Sequence, residues 1–364
     1  MHKIVIDARE SGTSTGRYID KLIEYLHKLK PDEEFIVLTK SPRIGFMQNI
    51  APNFKIIESP FKEFTFAEQL GFLGQINNLR ADLVHFCMVQ QPLLYRGKVI
   101  TTMHDLTMTW EKNPARNSAL HWTKQQVYKS VNRYAAHKSA RIITPTKYVK
   151  DAVIQFTGVS PEKITVTYEA ADKISDKPEP VYGLEDKRFI MYIGRPMPHK
   201  NLERLIEAFI MLKAKHADLH LVLAGKKDSN YDRIERFTKD KNLKDIIFTG
   251  FIEEGQLRWL YEHCDAYVFP SLSEGFGLPG LEAMQHGAPV VSSNASCLPE
   301  VYGRAARYFD PLDTDDMAAA IEDVLTSKKL HDELVTLGQK QVKKYSWQKM
   351  AEETLAVYQQ VLRS

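Results

Sequence analysis

Residues 273–282 read Ser-Glu-Gly-Phe-Gly-Leu-Pro-Gly-Leu-Glu and lie between a predicted strand and a predicted helix. The strand falls within 265–271, which is rich in β-branched and aromatic residues, and the helix covers 281–287, with Pro279 suited to its first position. Glycine lets the backbone come close to a ligand, and the unpaired amides at a helix start favour an anion such as a diphosphate. The stretch therefore predicts a strand–turn–helix unit of an α/β fold with a ligand-binding turn.

Two carboxylates stand eight positions apart in this turn. Glu274 lies in the loop, where it can accept hydrogen bonds from sugar hydroxyls, and Glu282 lies in the first helical turns, where it can accept them from a ribose diol. The residues between them that we expect to contact the same ligand are Gly275, Phe276, Gly277 and Leu278. A glycine turn whose carboxylate is favoured by the helix dipole would show the same pattern, so the turn alone leaves both interpretations open.

Strands and helices alternate along the whole chain, which indicates parallel sheets. The predicted strands of the first half are 3–7, 35–38, 55–58, 83–87, 99–103, 141–144 and 164–168, and those of the second half are 189–193, 219–224, 246–249, 266–269, 290–292 and 307–309. Helices such as 16–29 and 202–213, with apolar residues at helical spacing, are predicted between them.

The alternation stops at residues 173–187, where a proline-rich, charged composition is typical of an interdomain linker. The 364 residues also exceed the size at which a single hydrophobic core keeps growing. We therefore expect one domain at 1–172 and a second at 188–345. The simplest architecture is α/β, with two Rossmann-like domains whose parallel sheets face each other across a cleft and whose ligands bind at the carboxyl ends of the strands.

Composition excludes several classes of protein. The opening residues form a strand rather than a signal peptide, and no run of about twenty apolar residues could span a bilayer. Cys87, Cys264 and Cys297 are odd in number and far apart, which indicates a reducing compartment and neither a disulfide framework nor a zinc site. We therefore expect a cytoplasmic protein.

The glycine turn and several other segments resemble the retaining glycosyltransferases of family four, which have the GT-B fold. The segments that carry this resemblance are 5–18, 102–106, 192–202, 273–282, 298–303 and 345–358. The openings Asp7-Ala8-Arg9 and Gly16-Arg17-Tyr18 are most similar to the mannosyltransferases that build bacterial O-antigen chains. The resemblance implies that the final helix, 346–364, crosses back onto the first domain.

The resemblance also implies the roles of individual residues. Arg195 and Lys200 follow a predicted strand on a loop broken by prolines, and both would reach the phosphates of the sugar donor. His104 ends the strand at 99–103 and would help to hold the donor sugar beside its anomeric carbon, with Asp105 orienting either that histidine or the loop. Glu274 would accept hydrogen bonds from the sugar hydroxyls.

The loop from Gly12 to Gly16 also belongs to the predicted donor site, although its spacing differs from that of a dinucleotide fingerprint. It can cradle a phosphate, or it can simply let the two domains close. Its form departs from the tighter Gly-x-Gly loop that is common among mannosyltransferases of the family.

A departing diphosphate needs positive charge, either from a metal ion or from fixed basic side chains. The Asp-x-Asp pair in reach for a metal, Asp313 and Asp315, opens a predicted helix, where capping of the N-terminus is the favoured role. We therefore expect no metal and no cofactor, with Arg195 and Lys200 stabilising the leaving group.

Residues 112–150 contain nine Lys or Arg and no Asp or Glu, so this segment carries +9 in a chain whose net charge is +3. On a predicted helix at 119–137, we expect Lys129 and Arg133 to face outward, opposite Val127, Val131 and Tyr134, which would pack against the domain. A well-solvated helix would explain the segment, and so would a basic surface for anionic lipid or a lipid-pyrophosphate acceptor. Nucleic acid fits poorly, since the rest of the chain is acidic and lacks a recognition motif.

These features predict a retaining transferase that moves a hexose, with mannose from GDP-mannose as the best candidate, to a glycan or lipid-linked hydroxyl. It would be cytoplasmic and peripheral on the inner face of the membrane. A sugar-nucleotide epimerase on the same fold and a non-catalytic sugar-nucleotide-binding protein are the alternatives. Donor conversion without an acceptor would indicate the first, and the absence of slow donor hydrolysis would indicate the second.

Overall fold

The computed structural model describes residues 1–13, 15–110 and 118–364. Contacts divide the chain into two compact units, unit 1 with Met1–Glu169 and Ser346–Ser364, and unit 2 with Ala170–Tyr345. Residues 173–187, predicted as an interdomain linker, are grouped with unit 2. There the backbone N–H of Ile174 donates to Nε2 of His286 (3.1 Å), and that of Glu179 donates to the carbonyl of Gly255 (3.0 Å).

Every strand predicted from the sequence is present, with ends that agree within two residues. Unit 1 contains β1 Lys3–Asp7, β2 Glu34–Thr39, β3 Lys55–Glu58, β4 Leu83–Phe86, β5 Val99–Thr102, β6 Arg141–Thr144 and β7 Ile164–Val166. Unit 2 contains β8 Arg188–Ile193, β9 Leu219–Ala224, β10 Ile246–Gly250, β11 Ala266–Phe269, β12 Val290–Ser293 and β13 Ala306–Phe309.

The helices lie between the strands in the chain. Those of unit 1 are α1 Gly16–Leu29, α2 Ile44–Ile50, α3 Leu73–Leu79, α4 Thr107–Trp110, α5 Ser118–Lys138 and α6 Lys147–Thr157. Those of unit 2 are α7 Leu202–Lys213, α8 Ser229–Asp240, α9 Glu254–His263, α10 Leu278–Gln285, α11 Leu298–Tyr302, α12 Thr314–Thr326 and α13 Lys328–Gln341, and α14 Trp347–Arg363 returns to unit 1. No helix in the described residues is both long and apolar enough to cross a bilayer.

Both sheets are parallel and follow the strand order of Rossmann-like domains. The order is β3-β2-β1-β4-β5-β6-β7 in unit 1 and β10-β9-β8-β11-β12-β13 in unit 2. In each sheet the chain reverses direction of winding next to its first strand, between β1 and β4 and between β8 and β11. The carboxyl ends of these strand pairs are where an open α/β sheet binds ligands.

The strands are apolar because parallel sheets are covered by helices on both faces. Ile4, Val5 and Ile6 of β1 are fully buried, and Val5 pairs with Ile36 of β2 and with Val84 of β4. A continuous apolar run, rather than an alternating one, is therefore the pattern from which these strands are predicted.

The last helix belongs to the core of unit 1. Ser346 caps α14 by accepting the N–H of Lys349 (3.3 Å), and the helix packs on α1, β4 and β6. Tyr358 in α14 is fully buried, and its hydroxyl lies 2.6 Å from Nδ1 of His85 in β4. Burial lowers the pKa of His85 to about 3, so the ring is neutral and needs hydrogen-bond partners inside the protein.

Candidate functional site

Two of the predicted catalytic residues form an ion pair in unit 2. Nζ of Lys200, after β8, lies 2.6 Å from Oε1 of Glu274, after β11. The side chains are 20% and 12% exposed, so each charge is largely removed from water and is stabilised by the other. β8 and β11 are neighbours in the sheet, which brings the loops that follow them together.

Backbone contacts hold both loops in place. The N–H of Leu272 donates to the carbonyl of His199 (2.7 Å), which joins the loop of Glu274 to the loop of Lys200. The side-chain amide of Asn201 donates to the carbonyls of Pro270 (3.1 Å) and Pro311 (2.8 Å). The positions of the two charged side chains therefore depend on a set of hydrogen bonds that the sequence does not reveal.

Cys297, to which sequence analysis gives no role, supports the backbone of Glu274. Its thiol donates to the carbonyl of Glu274 (3.3 Å), and the N–H of Glu274 donates to Oγ of Ser296 (3.1 Å). Burial raises the pKa of the Cys297 thiol well above its usual range, so the group stays protonated and can donate.

Arg195 has a different partner from Lys200. Its Nε donates to Oδ2 of Asp228 (2.5 Å), and the side chain is 67% exposed. Asp228 also caps α8 by accepting the N–H groups of Asn230 and Tyr231. Although burial raises the pKa of Asp228, these hydrogen bonds, first from Tyr231 and then from Arg195, bring it below its usual range. Sequence analysis missed Asp228, although Asp followed by Ser-Asn-Tyr at a helix start is a capping signal.

The glycines of the turn pack against a buried tyrosine. Gly277 precedes α10 with φ +93°, and its carbonyl accepts the hydroxyl of Tyr302 (2.6 Å). A Cβ atom at Gly277 or Gly280 would lie 2.6 or 2.3 Å from that hydroxyl oxygen, which is too close for any side chain. Packing against Tyr302 accounts for both glycines without a ligand, and the donor contact of Gly277 stays a prediction.

Other predicted donor-binding residues of unit 2 are partly enclosed by protein. Leu278 begins α10, three residues before the predicted start of that helix. Gly275 lies in the loop that precedes α10. Phe276 is 4% exposed, with its ring 5.5 Å from that of Tyr345, so its side chain belongs to the core. Glu282 is 6% exposed and accepts the hydroxyl of Tyr261 (3.3 Å).

His104 follows β5 in unit 1, and its ring has a partner on each nitrogen. Nδ1 lies 3.3 Å from Oε1 of Glu169, and Nε2 lies 3.0 Å from the carbonyl oxygen of Cys87. Asp105 does not contact the ring in this way; it accepts the N–H of Thr107 (2.8 Å) and so orients the loop, one of the two roles expected for it. Glu169 was missed, although it comes directly after the predicted strand 164–168, where functional side chains concentrate.

The glycine loop of unit 1 is closed by charged side chains. A Cβ atom at Gly16 would lie 2.4 Å from the carbonyl oxygen of Glu10, and Gly12 has φ +80°. Arg43 donates to Oγ of Ser11 (2.8 Å) and to Oδ2 of Asp20 (2.8 Å) beside this loop. Gly12 and Gly16 are therefore required by the path of the backbone, while their contact with a phosphate stays a prediction.

The Asp7-Ala8-Arg9 segment forms a buried ion network. The Arg9 guanidinium donates to both carboxylate oxygens of Asp7 (2.8 and 2.7 Å) and to Glu68 (2.9 Å), and it stacks on the ring of Phe72. Burial by itself would lower the pKa of Arg9. The Asp7 and Glu68 carboxylates raise the pKa by more than burial lowers it, so the guanidinium keeps its positive charge. The segment's residues contribute to the interior of unit 1 at the carboxyl end of β1.

The Asp313–Asp315 segment has the predicted capping role. Oδ1 of Asp313 accepts the backbone N–H groups of Asp315 (2.9 Å) and Asp316 (3.0 Å) at the start of α12. Among the described residues, no group of three or more His, Cys, Asp or Glu side chains is placed to hold a metal ion.

Two family models together match most of the chain. The model described as Glycosyltransferase Family 4 matches residues 15–173, and the model described as Glycosyl transferases group 1 matches residues 175–341. The serotype-specific mannosyltransferase WbdA of Escherichia coli is 35% identical over 64% of this chain, and the chain matches 29% of the length of that relative. The O-antigen chain mannosyltransferase B of Escherichia coli is 28% identical over 72% of this chain and 70% of its own length.

Solved structures show the same fold at low sequence identity. Sucrose-phosphate synthase from Thermosynechococcus elongatus superposes with a TM-score of 0.80 at 17% identity, with 100% of both chains covered. Anabaena Alr3699/HepE, solved in complex with UDP and glucose, superposes with a TM-score of 0.75 at 16% identity, with 99% of both chains covered.

The contact between Gly280 and Tyr302 predicts a stability effect without ligand. Gly280→Ala should lower the free energy of unfolding by about 1–3 kcal/mol, because its methyl group overlaps the Tyr302 hydroxyl. Gly74→Ala in α3 is the control, since its Cβ meets nothing within 4 Å, and a helical Gly→Ala change there should stabilise by about 0.5–1 kcal/mol. Urea unfolding of both variants measures this. Unchanged stability with weaker nucleotide binding would mean that Gly280 serves the ligand instead.

Proposed function

Because the chain belongs to the family-four glycosyltransferases with the GT-B fold, we propose that it transfers a hexose from a sugar nucleotide to an acceptor hydroxyl with retention of the anomeric configuration. The Lys200–Glu274 pair carries the proposal. It places a cation and a hydroxyl-accepting carboxylate side by side at the carboxyl edge of a Rossmann-like sheet, where a sugar diphosphate needs both. The two mannosyltransferase relatives support mannose, from GDP-mannose, as the hexose.

We propose that binding of the donor exchanges the partners of this ion pair. Lys200 turns from Glu274 to the diphosphate, and Glu274 accepts hydrogen bonds from the sugar hydroxyls. Arg195, which is largely exposed beside Asp228, adds a second cation for the diphosphate. The two cations stabilise the charge that develops on the leaving group, so no metal ion is needed for that role. The carboxylate of Asp313 supports this proposal, since it is engaged in capping α12.

Retention follows if the acceptor attacks from the side of the departing phosphate. The bond from the anomeric carbon to the phosphate oxygen breaks, the acceptor oxygen bonds to the same face, and the phosphate oxygen takes the acceptor proton. Inversion would instead need a positioned base on the opposite face. In this proposal Glu274 accepts hydrogen bonds from the sugar hydroxyls and Glu282 binds the ribose of the donor, while the contact of His104 with the sugar stays a prediction.

Product analysis tests the reaction. With GDP-α-mannose and a mannose-terminated oligosaccharide linked to lipid pyrophosphate, we expect an α-linked product in the presence of excess EDTA. NMR of the anomeric carbon and proton identifies the linkage. A β-linkage would exclude retention, loss of turnover that magnesium or manganese restores would exclude the metal-independent mechanism, and donor conversion without acceptor would indicate an epimerase.

Removing the cation of the ion pair should slow the chemical step. Lys200→Ala should lower kcat by about a hundredfold, because its charge matters most as the diphosphate departs. Lys215→Ala is the matched control, since Lys215 is an exposed lysine of the same unit that pairs with Glu322 (3.8 Å), and it should leave kcat unchanged. Steady-state kinetics with varied donor separates kcat from KM. An unchanged kcat in Lys200→Ala would contradict the assigned role.

The basic segment requires a correction before a partner is proposed for it. Val127 is 59% and Tyr134 is 45% exposed, so the prediction that they pack against the domain is wrong. Arg133 donates to the carbonyl of Phe156 (3.3 Å), and Lys138 donates to that of Pro92 (3.1 Å), with burial lowering the pKa of Lys138 to about 8. Lys112 and Arg116 lie outside the described residues.

Apolar side chains share this exposed surface with the remaining cations. Besides Val127, Trp122 in α5 is 62% exposed, Lys124 two residues later in α5 is also exposed, and Phe66 is 89% exposed. Segment 64–70 is joined to α5 through the ring of Phe64, 6.3 Å from that of Tyr128. We name one set of exposed residues the aromatic–basic surface. It consists of Phe66, Leu70, Leu94, Trp122, Lys124 and Val127.

We propose that the aromatic–basic surface docks on anionic lipid at the inner face of the membrane. Aromatic side chains favour the headgroup region, and lysines favour its negative potential. The three cysteines support an intracellular location, since all of them are buried free thiols. The acceptor would then be linked to lipid and would be reached from the membrane.

Vesicle sedimentation tests this surface. The chain should sediment with phosphatidylglycerol vesicles at low salt and detach partly as salt rises, because charge is screened whereas apolar contact is not. Trp122→Ala with Lys124→Gln should lower the bound fraction at least about fivefold. Lys328→Gln with Lys329→Gln, two exposed lysines at the start of α13 in unit 2, is the control and should bind as the parent does. Equal binding of the two double variants would mean that the basic segment is only a well-solvated helix.

A further inference from the structure

A buried carboxylate that the proposed reaction does not use faces the ring of His104. Glu169 is 5% exposed, and its Oε1 lies 3.3 Å from Nδ1 of the ring. The other ring nitrogen, Nε2, lies 3.0 Å from the carbonyl oxygen of Cys87. The segments after β4 and β7 therefore hold the ring from two directions.

These two contacts determine where the protons lie. A carbonyl oxygen only accepts hydrogen bonds, so Nε2 of His104 carries a proton that is donated to Cys87. An ionised carboxylate also only accepts, so the contact with Glu169 requires a proton between Nδ1 and Oε1. A proton on Nδ1 lets the ring donate to both oxygens at once, to Glu169 and to the carbonyl of Cys87.

We propose that Glu169 is a positioning residue for His104 and holds its ring as an imidazolium. Nδ1–H donates to Oε1 of Glu169 and Nε2–H donates to the carbonyl of Cys87. The orientation and the charge of the ring are thus set before any ligand binds. The protonation state follows from these contacts alone, whereas its use beside the donor sugar rests on the proposed function.

The other groups that face the ring do not repel its positive charge, because they are neutral. Tyr18 lies edge-on with its ring centroid 4.7 Å away, and burial raises its pKa well above the usual range, so its phenol is neutral. Burial likewise keeps the Cys87 thiol protonated and the His85 ring neutral. The carboxylate of Asp105, next in the chain, accepts the N–H of Thr107 (2.8 Å).

A ring fixed in this way contributes in two respects. It needs no reorientation when the donor binds, which lowers the entropic cost of reaching a reactive geometry. It also provides a positive charge just after the carboxyl end of β5. A neutral ring in the same place would provide the first contribution without the second.

Nitrogen-15 NMR of the whole chain, labelled at its 12 histidines, reads the protonation state without any substrate. The signals of His104 are assigned by their loss in His104→Gln. At pH 7 we expect both ring nitrogens to be protonated in the parent. In Glu169→Gln we expect a neutral ring protonated on Nε2 only, because the amide of glutamine can donate to Nδ1 and keep the ring in place.

The control is Glu33→Gln, which removes a carboxylate of the same unit that accepts from Gln359 (3.2 Å), and it should leave the imidazolium intact. A neutral ring in the parent would overturn the proposal. An imidazolium that persists in Glu169→Gln would overturn it as well, because the proton would then not depend on the carboxylate.

Kinetics then tests the positioning role. Glu169→Ala should lower kcat at least about tenfold with a smaller change in donor KM, because the ring is no longer held. Glu169→Gln should recover part of this loss, since it restores the contact but not the charge. A kcat in Glu169→Ala equal to that of the parent would refute the role. If the parent transfers no hexose, the proposed function fails, while the NMR result still decides the protonation of the ring.

Discussion

Unit 2 depends on one short contact between opposite charges, the 2.6 Å pair of Lys200 and Glu274. Two charges removed from water must be satisfied by each other or by a ligand, and removing one partner leaves the other at a high free-energy cost. The hydrogen bond between the loops after β8 and β11, and the amide of Asn201, hold the pair together. The protein's own contacts therefore hold the pair in place, and in the proposed reaction a donor with both anionic oxygens and hydroxyl groups replaces both partners at once.

Much of the fold can be predicted from the sequence because buried parallel strands leave a simple signal. Each strand is a short apolar run, and each run is followed by residues at helical spacing, so the thirteen strands and the order of elements can be recognised without partners. The capping role of Asp313 is equally local, since it involves N–H groups two and three residues away. The sequence reveals these features because their signals, an apolar run, helical spacing or a cap, are local in the chain, although the partners with which the strands pair are not.

The contacts of the site could not be predicted, because they join residues far apart in the sequence. Glu169 contacts His104 across 65 residues, and Lys200 contacts Glu274 across 74. The exposure of Val127 and Tyr134 was also mispredicted. Helical periodicity gives the relative directions of side chains, but it does not determine which side of a helix another element covers.

The hydrogen bond between Tyr358 and His85 has a consequence for the order in which the chain folds during synthesis. All residues of unit 2 are synthesised before residues 346–364, so most of unit 2 can begin to form its contacts before α14 is available. Until α14 arrives, Nδ1 of His85 in β4 lacks its Tyr358 partner. Unit 1 is therefore the first unit to be synthesised and the last to be completed. A chaperone that protects nascent chains would find the largest exposed apolar surface on the face that α14 later covers.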